Sequence, residues 1–475
     1  MVPYPSWLNA GDNSWQLTAA TLVGLMSIPA LAVLYGGLVQ RKWAVNTMLM
    51  TFSAFCLVLI VWVLWVFKMG FGEPWIKTFV GIPGAVIGHG GEQNRAHIPL
   101  VSGTGGMPHF RFPQSSLVYF QFVFAAITPI LFLGSVVGRI KFKVWLIFVP
   151  LWSTFAYSVN AFLLWGGGWW AAHGALDFSG GYVIHLAAGV SGFVAAAMVG
   201  PRLARDRQHG VPNNLPLVAV GAGILWLGWN GFNGGDPYFA GADAGAAVLN
   251  TNLATAVAMM VWIVMDMSFG KERRPTFLGG VNGMIVGLVG ITPAAGYVNG
   301  LGAIMIGLID CVIVWCAWNF LSRVRPFSKV DDALGVVYTH GIAGLFGGLL
   351  VGLFADPNMI VYLGLGKNPG FSGAGLLYGH PHQLLVQGGA ALTVIIWDAF
   401  VTFAILWVIS RFTKLRMSDE MLLTGDVAVH GEEAYPSEEG LTRVDASSLV
   451  GAAASAPGPQ DGPAPPRTKI TSDEK

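Results

Sequence analysis

A chain of 475 residues with 54% hydrophobic and 11% charged side chains lies far from the composition of a soluble domain, in which about 25% of residues are charged. A net charge of +1 offers no basic face to nucleic acid, and Cys56, Cys311 and Cys316, all within apolar runs, make neither a disulfide framework nor a zinc site. What remains is an all-α polytopic membrane protein, and 64 glycines and 18 tryptophans suit close-packed membrane helices with interfacial aromatics.

In chain order, apolar runs long enough to cross a bilayer, at about 20 residues each, fall at 16–39, 44–67, 116–138, 144–165, 180–199, 216–234, 246–268, 276–292, 300–321, 333–355 and 384–410. That predicts eleven transmembrane helices, the eighth short and rich in glycine. The first 40 residues hold no Lys or Arg, so no cleavable signal is expected among them. Basic residues follow every odd run: Arg41 and Lys42; Arg139, Lys141 and Lys143; Arg202, Arg205 and Arg207; Lys271, Arg273 and Arg274; Arg323, Arg325 and Lys329; Arg411, Lys414 and Arg416. The alternate connections hold far fewer. Positive charge on the inner side predicts an outside N-terminus and a cytoplasmic C-terminus. Residues 1–410 are expected to form the membrane domain and 411–440 an ordered cytoplasmic segment. The stretch 441–475, dominated beyond about Ser447 by Ala, Pro, Gly and Ser, is expected to be a disordered tail.

One pattern occurs twice. Asp177-Phe-Ser-Gly-Gly-Tyr-Val-Ile-His185 is followed by Gly189 and Gly192, and Asp332-Ala-Leu-Gly-Val-Val-Tyr-Thr-His340 by Gly344 and Gly347. On a helix these offsets put each His and its glycines on one face, where small residues admit a second backbone. The two copies lie on runs five and ten, which enter from opposite sides. This predicts two inverted five-helix halves plus a final helix, with a site between the halves near the midplane. Ile127-Thr-Pro129 and Ile291-Thr-Pro293 repeat in the same sense. Of ten histidines, only His185 and His340 lie in the predicted spans. An ionisable side chain there is a functional candidate. Two unrelated structural histidines, each bonded to a carbonyl, are the plain alternative, and a bis-His haem site is a further one.

Asp177 and Asp332 stand where helix caps are expected, and Asp177 could also order an outer cation site. Asp266, Asp310 and Asp398 fall in or near spans, with proton activity and packing against a Ser, Thr or Trp partner equally open. Aromatics gather toward the outer side: Tyr119, Phe120 and Phe124 on run three, Trp165 before three glycines, and Trp229 and Phe232 on run six. They read either as an interfacial belt or as a cage for a partly dehydrated cation, and the surrounding glycines favour a cavity.

These residues carry a resemblance. Leu34-Tyr-Gly-Gly-Leu38, Phe120-Gln-Phe-Val-Phe124, Trp165-Gly-Gly-Gly168, Gly174-Ala-Leu-Asp-Phe-Ser-Gly-Gly181, Gly228-Trp-Asn-Gly-Phe-Asn-Gly234, Gly290-Ile-Thr-Pro-Ala-Ala-Gly296, Val330-Asp-Asp332 and His430-Gly-Glu-Glu-Ala-Tyr435 resemble the ammonium transporter family. That family includes the methylammonium permeases and, more distantly, the Rhesus proteins. The match runs from about Trp7 to Tyr435 and looks most like the second plant subfamily. The resemblance implies no enzyme and no cofactor, but a homotrimer in the plasma membrane among lipids, with ammonium or ammonia as its cargo. It implies an outer recruitment site of Phe120, Trp165 and Asp236 supported by Asp177, and a gate of Phe124 and Phe232. The pore below is lined by His185 and His340, with Thr292 and, from the aromatic cluster, Trp229. Two positions depart from the family: a recruitment-site Ser is Asp236 here, and a phosphorylatable tail Thr is Ala428. An ion-coupled transporter of small amines or amino acids is the other transport class compatible with inverted repeats.

Overall fold

The computed structural model describes residues 5–102, 110–208, 210–361 and 373–435. His109, His209 and the predicted disordered tail at 441–475 lie outside the described residues.

Among the described residues, ten helices are long and apolar enough to cross a bilayer: α1 (Ala10–Leu38), α2 (Arg41–Phe71), α3 (Gln114–Val136), α4 (Phe142–Ala172), α5 (Gly181–Val199), α6 (Leu215–Gly234), α7 (Ala242–Phe269), α9 (Gly300–Arg323), α10 (Val337–Phe354) and α11 (His382–Ser410). Between α7 and α9 stands the shorter apolar helix α8 (Phe277–Ile291). Every predicted run is thus helical. The first begins earlier than the apolar pattern did, because the Asn9 side chain accepts the Asp12 N–H and caps it. At 15 residues α8 extends about 22 Å, less than the ~30 Å of a hydrocarbon core. Its glycines let α7 lie at backbone distance: a Cβ on Gly287 would meet Thr255 Cα at 2.6 Å and Ala254 O at 2.8 Å.

The helices form one bundle in two inverted halves, α1–α5 and α6–α10, with α11 outside them. Burial sorts centre from rim: 94% of the apolar window of α3 is enclosed, against 33% for α7 and α11. Helix α5 opens with a π-helical turn at Gly181–Leu186 and α10 with one at Val337–Ile342. The wider turn occurs where α5 and α10 cross, a placement typical of functional sites.

Beyond α11 the chain folds back over the bundle end that carries the basic clusters. Lys141 N–H donates to Leu415 O and Met417 N–H to Arg139 O. Two short helices follow, α12 (Asp419–Thr424) and α13 (Asp426–His430). Asp426 accepts the N–H groups of Val45 and Asn46 at 2.8 and 2.9 Å, so the tail supplies the N-terminal cap of α2.

Candidate functional site

The glycines after each His determine how closely the halves meet. A Cβ on Gly189 would collide with the backbone of Gly341, and one on Gly344 would lie 2.6 Å from Gly181 O and 3.0 Å from His185 Cβ. This backbone approach brings the imidazoles together. His185 Nδ1 and His340 Nδ1 are 3.2 Å apart, with ring centroids at 5.3 Å and planes 25° apart. Both side chains are buried. At 3.2 Å one nitrogen donates and the other accepts. A metal held between these two nitrogens at about 2.0 Å from each would need about 4 Å, so this pairing does not fit a bis-His haem.

The aspartates eight residues upstream cap the two helices, as their positions predicted. Asp177 Oδ2 accepts from Tyr182 and Val183 N–H, and Oδ1 from Gly180 N–H. Asp332 accepts from Val336 and Val337 N–H and from the Ser135 hydroxyl.

Above His185 the aromatics form a column. Phe120 and Phe124, one turn apart on α3, have centroids 4.9 Å apart. Phe124 meets Phe232 at 4.4 Å, and Phe232 lies 5.9 Å from the His185 ring at 27°. Trp229 stacks on the other part of the column, 5.3 Å from His185. Its indole N–H donates to Thr292 Oγ1, which holds this ring. Trp165 meets Phe124 edge-on at 6.3 Å, its indole fixed by a bond to Asp177 O. All these predicted residues come together. Tyr119 does not: it is 37% exposed and stacks on Phe122, away from the column.

Asp236, in the turn after α6, is half-buried and bonded to the Ser179 hydroxyl, which also lies 2.8 Å from Phe232 O. Tyr238 packs its edge on Phe120 and accepts from Gln121. Sequence reading singled out neither Ser179 nor Tyr238. Ser179 stood inside a quoted motif, but nothing in one sequence ties it to a residue 57 positions away. Among the other acids, Asp266 accepts from Trp315 and Asp398 from Asn160 and Ser191, whereas neither oxygen of Asp310 has a hydrogen-bond partner among the described residues.

The model of the Ammonium Transporter Family matches residues 14–435. The chain belongs to the ammonium transporter family. It is 47% identical over 434 residues to ammonium transporter 2 of Arabidopsis thaliana, covering 91% of this chain and 89% of that one. It is also 47% identical over 446 residues to ammonium transporter 3 member 2 of Oryza sativa subsp. japonica, covering 90% of each chain. The crystal structure of Saccharomyces cerevisiae Mep2 superposes with a TM-score of 0.76 at 28% identity, over 87% of this chain and 89% of that one. The expected resemblance to plant members and the helical membrane fold both hold. Membership makes the chain a multi-pass membrane transporter rather than an enzyme.

Proposed function

We propose that this transporter recruits ammonium at an outer pocket of Phe120, Trp165, Asp177 and Asp236, and conducts ammonia through the Phe124–Phe232 gate and along His185 and His340. A bare cation in an apolar bore costs several kcal/mol or more, whereas neutral ammonia costs far less. Aromatic faces and carboxyls above the gate favour the cation, and the rings below favour the neutral molecule. The observation that carries the reading is the 3.2 Å contact between two buried imidazoles directly beneath the stacked rings. Such a pair offers one donor and one acceptor and can hand a proton across. The same reading includes a homotrimer with one pore per protomer, in the plasma membrane, with the N-terminus outside and the docked tail in the cytoplasm. Its support is the family resemblance and the basic clusters at one end of the bundle.

The test records current and internal pH together in sealed liposomes during an ammonium pulse. A saturable, protein-dependent signal that vanishes on joint replacement of His185 and His340 by Ala supports the reading. Current means that charge crosses, and alkalinisation without current means net ammonia passage. Neither signal from folded protein would overturn it.

A further inference from the structure

The outer pocket holds two carboxyls with different work. Asp177 turns both oxygens to backbone N–H groups at the start of α5, so it is committed to holding that helix end. Asp236 has one described contact, from Oδ2 to the Ser179 hydroxyl. Its other oxygen takes no hydrogen bond from the described residues, and the side chain is half-buried.

Ser179 Oγ touches two acceptors, the Asp236 carboxyl and the Phe232 carbonyl. One hydroxyl hydrogen can serve only one of them. A proton arriving on Asp236 completes the set: the carboxyl donates to Ser179 Oγ, and the hydroxyl donates to Phe232 O. That chain of hydrogen bonds ends on the backbone of the gate residue whose ring stacks on Phe124.

We propose that Asp236 is the proton acceptor that turns ammonium into ammonia at the outer face of the gate. The proposal rests on the transport reading above. In the step, one N–H bond of ammonium breaks and its electron pair stays on nitrogen. The proton forms an O–H bond on Asp236, and ammonia moves on between the rings. Asp236 lies one turn outward of Phe232, so its proton returns to water on the outer side and the carboxylate is restored. Among the described residues, the ionisable groups electrostatically coupled to Asp236 are Asp177, Tyr157, Tyr238 and Tyr297, none of them a cation. Burial raises the Asp236 carboxyl well above the usual carboxylate range; the Ser179 hydrogen bond opposes this and the charge of Asp177 adds to it. A carboxyl made more basic in this way is a better acceptor for an ammonium proton. As outer pH falls through the raised value, Asp236 is already protonated and the acceptor is lost.

The test uses the full chain in liposomes, with ammonium pulses at outer pH from about 7.5 down to about 5, a range in which ammonium itself stays protonated. Wild type, Asp236→Asn and Asp236→Glu are compared. Wild-type maximal uptake should depend on outer pH through the Asp236 carboxyl. Asp236→Asn, nearly isosteric, should be about tenfold slower in maximal rate at neutral pH and flat with pH, and Asp236→Glu should restore an acid limb. A wild-type maximal rate and pH profile in Asp236→Asn overturns the proposal. So does a change confined to the half-saturating concentration, which would leave Asp236 a binding role only. A silent wild type overturns the transport reading itself, and the two failures are thereby told apart.

Discussion

The two copies of the Asp-to-His pattern differ most in what surrounds their acids. At the α10 copy, Asp332 is preceded by Asp331, which is paired bidentately with Arg202 and bonded through its backbone carbonyl to the buried Arg139. Arg139 also bonds Gly200 O. At the α5 copy, Asp177 and Asp236 have no cation partner among the described residues, and Arg111 at that end is taken by Asp12. One end is therefore charge-balanced and rigidly bridged, while at the other no described cation pairs with the carboxyls among the aromatic faces. Inverted symmetry supplies the crossing of two helices; the asymmetry of charge makes its two ends different.

The largest effects should come from the shared element. Gly189→Ala and Gly344→Ala each drive a Cβ into backbone of the opposite half. Overpacking of this kind costs about 2–3 kcal/mol, and neither backbone can rotate out of the way as a side chain could. Both variants should lose thermal stability in detergent. Ammonium-dependent signals should fall by more than about tenfold, because the imidazoles lose their hydrogen-bond distance. Retention of wild-type transport by either variant would separate the helix crossing from function.

A smaller effect tests the charge difference. Burial pushes the Asp331 carboxyl up, but its Arg202 hydrogen bonds and the Arg139 charge outweigh this and hold it below the usual range. A depressed value contributes stability that is present above the ordinary carboxylate value and lost only as pH falls through the depressed one. Arg202→Ala should therefore cost about 2 kcal/mol, and the gap from wild type should stay constant between about pH 7 and about pH 5. Thermal melts at several pH values check it. A gap that closes across that interval would mean the balanced end is as pH-sensitive as the end holding Asp236.

Much of this was legible because it depends on local pattern. Length and apolarity delimit the helices, and an ionisable residue in an apolar run stands out, so His185 and His340 declare themselves. Phe120 and Phe124 share a face because they are four residues apart, while Tyr119 is turned about 100° away by the same geometry. That rotation is why the aromatic cluster of the sequence was one ring too large. Long-range contact was not legible: the bond between Ser179 and Asp236 joins the bend before α5 to the turn after α6. The docking of Asp426 on the start of α2 is equally remote in sequence.

The smallest effect sharpens the comparison where the halves look most alike. Thr128 and Thr292 occupy the repeated Ile-Thr-Pro motif, and each hydroxyl donates to the carbonyl one turn back, at 2.8 Å to Phe124 O and 2.7 Å to Leu288 O. Only Thr292 also accepts the indole N–H of Trp229, at 2.9 Å. Both side chains are buried, and Val replaces Thr with almost unchanged volume. Thr128→Val removes a local bond whose carbonyl is already in the helix ladder, so stability and transport should stay near wild type. Thr292→Val leaves a buried indole donor unpaired beside His185, which costs about 1 kcal/mol and corresponds to about a fivefold drop in rate if the ring shifts. Paired transport measurements decide it. Equal behaviour of the two valine variants would mean that packing alone holds Trp229, and that the hydroxyl differs between the halves without consequence.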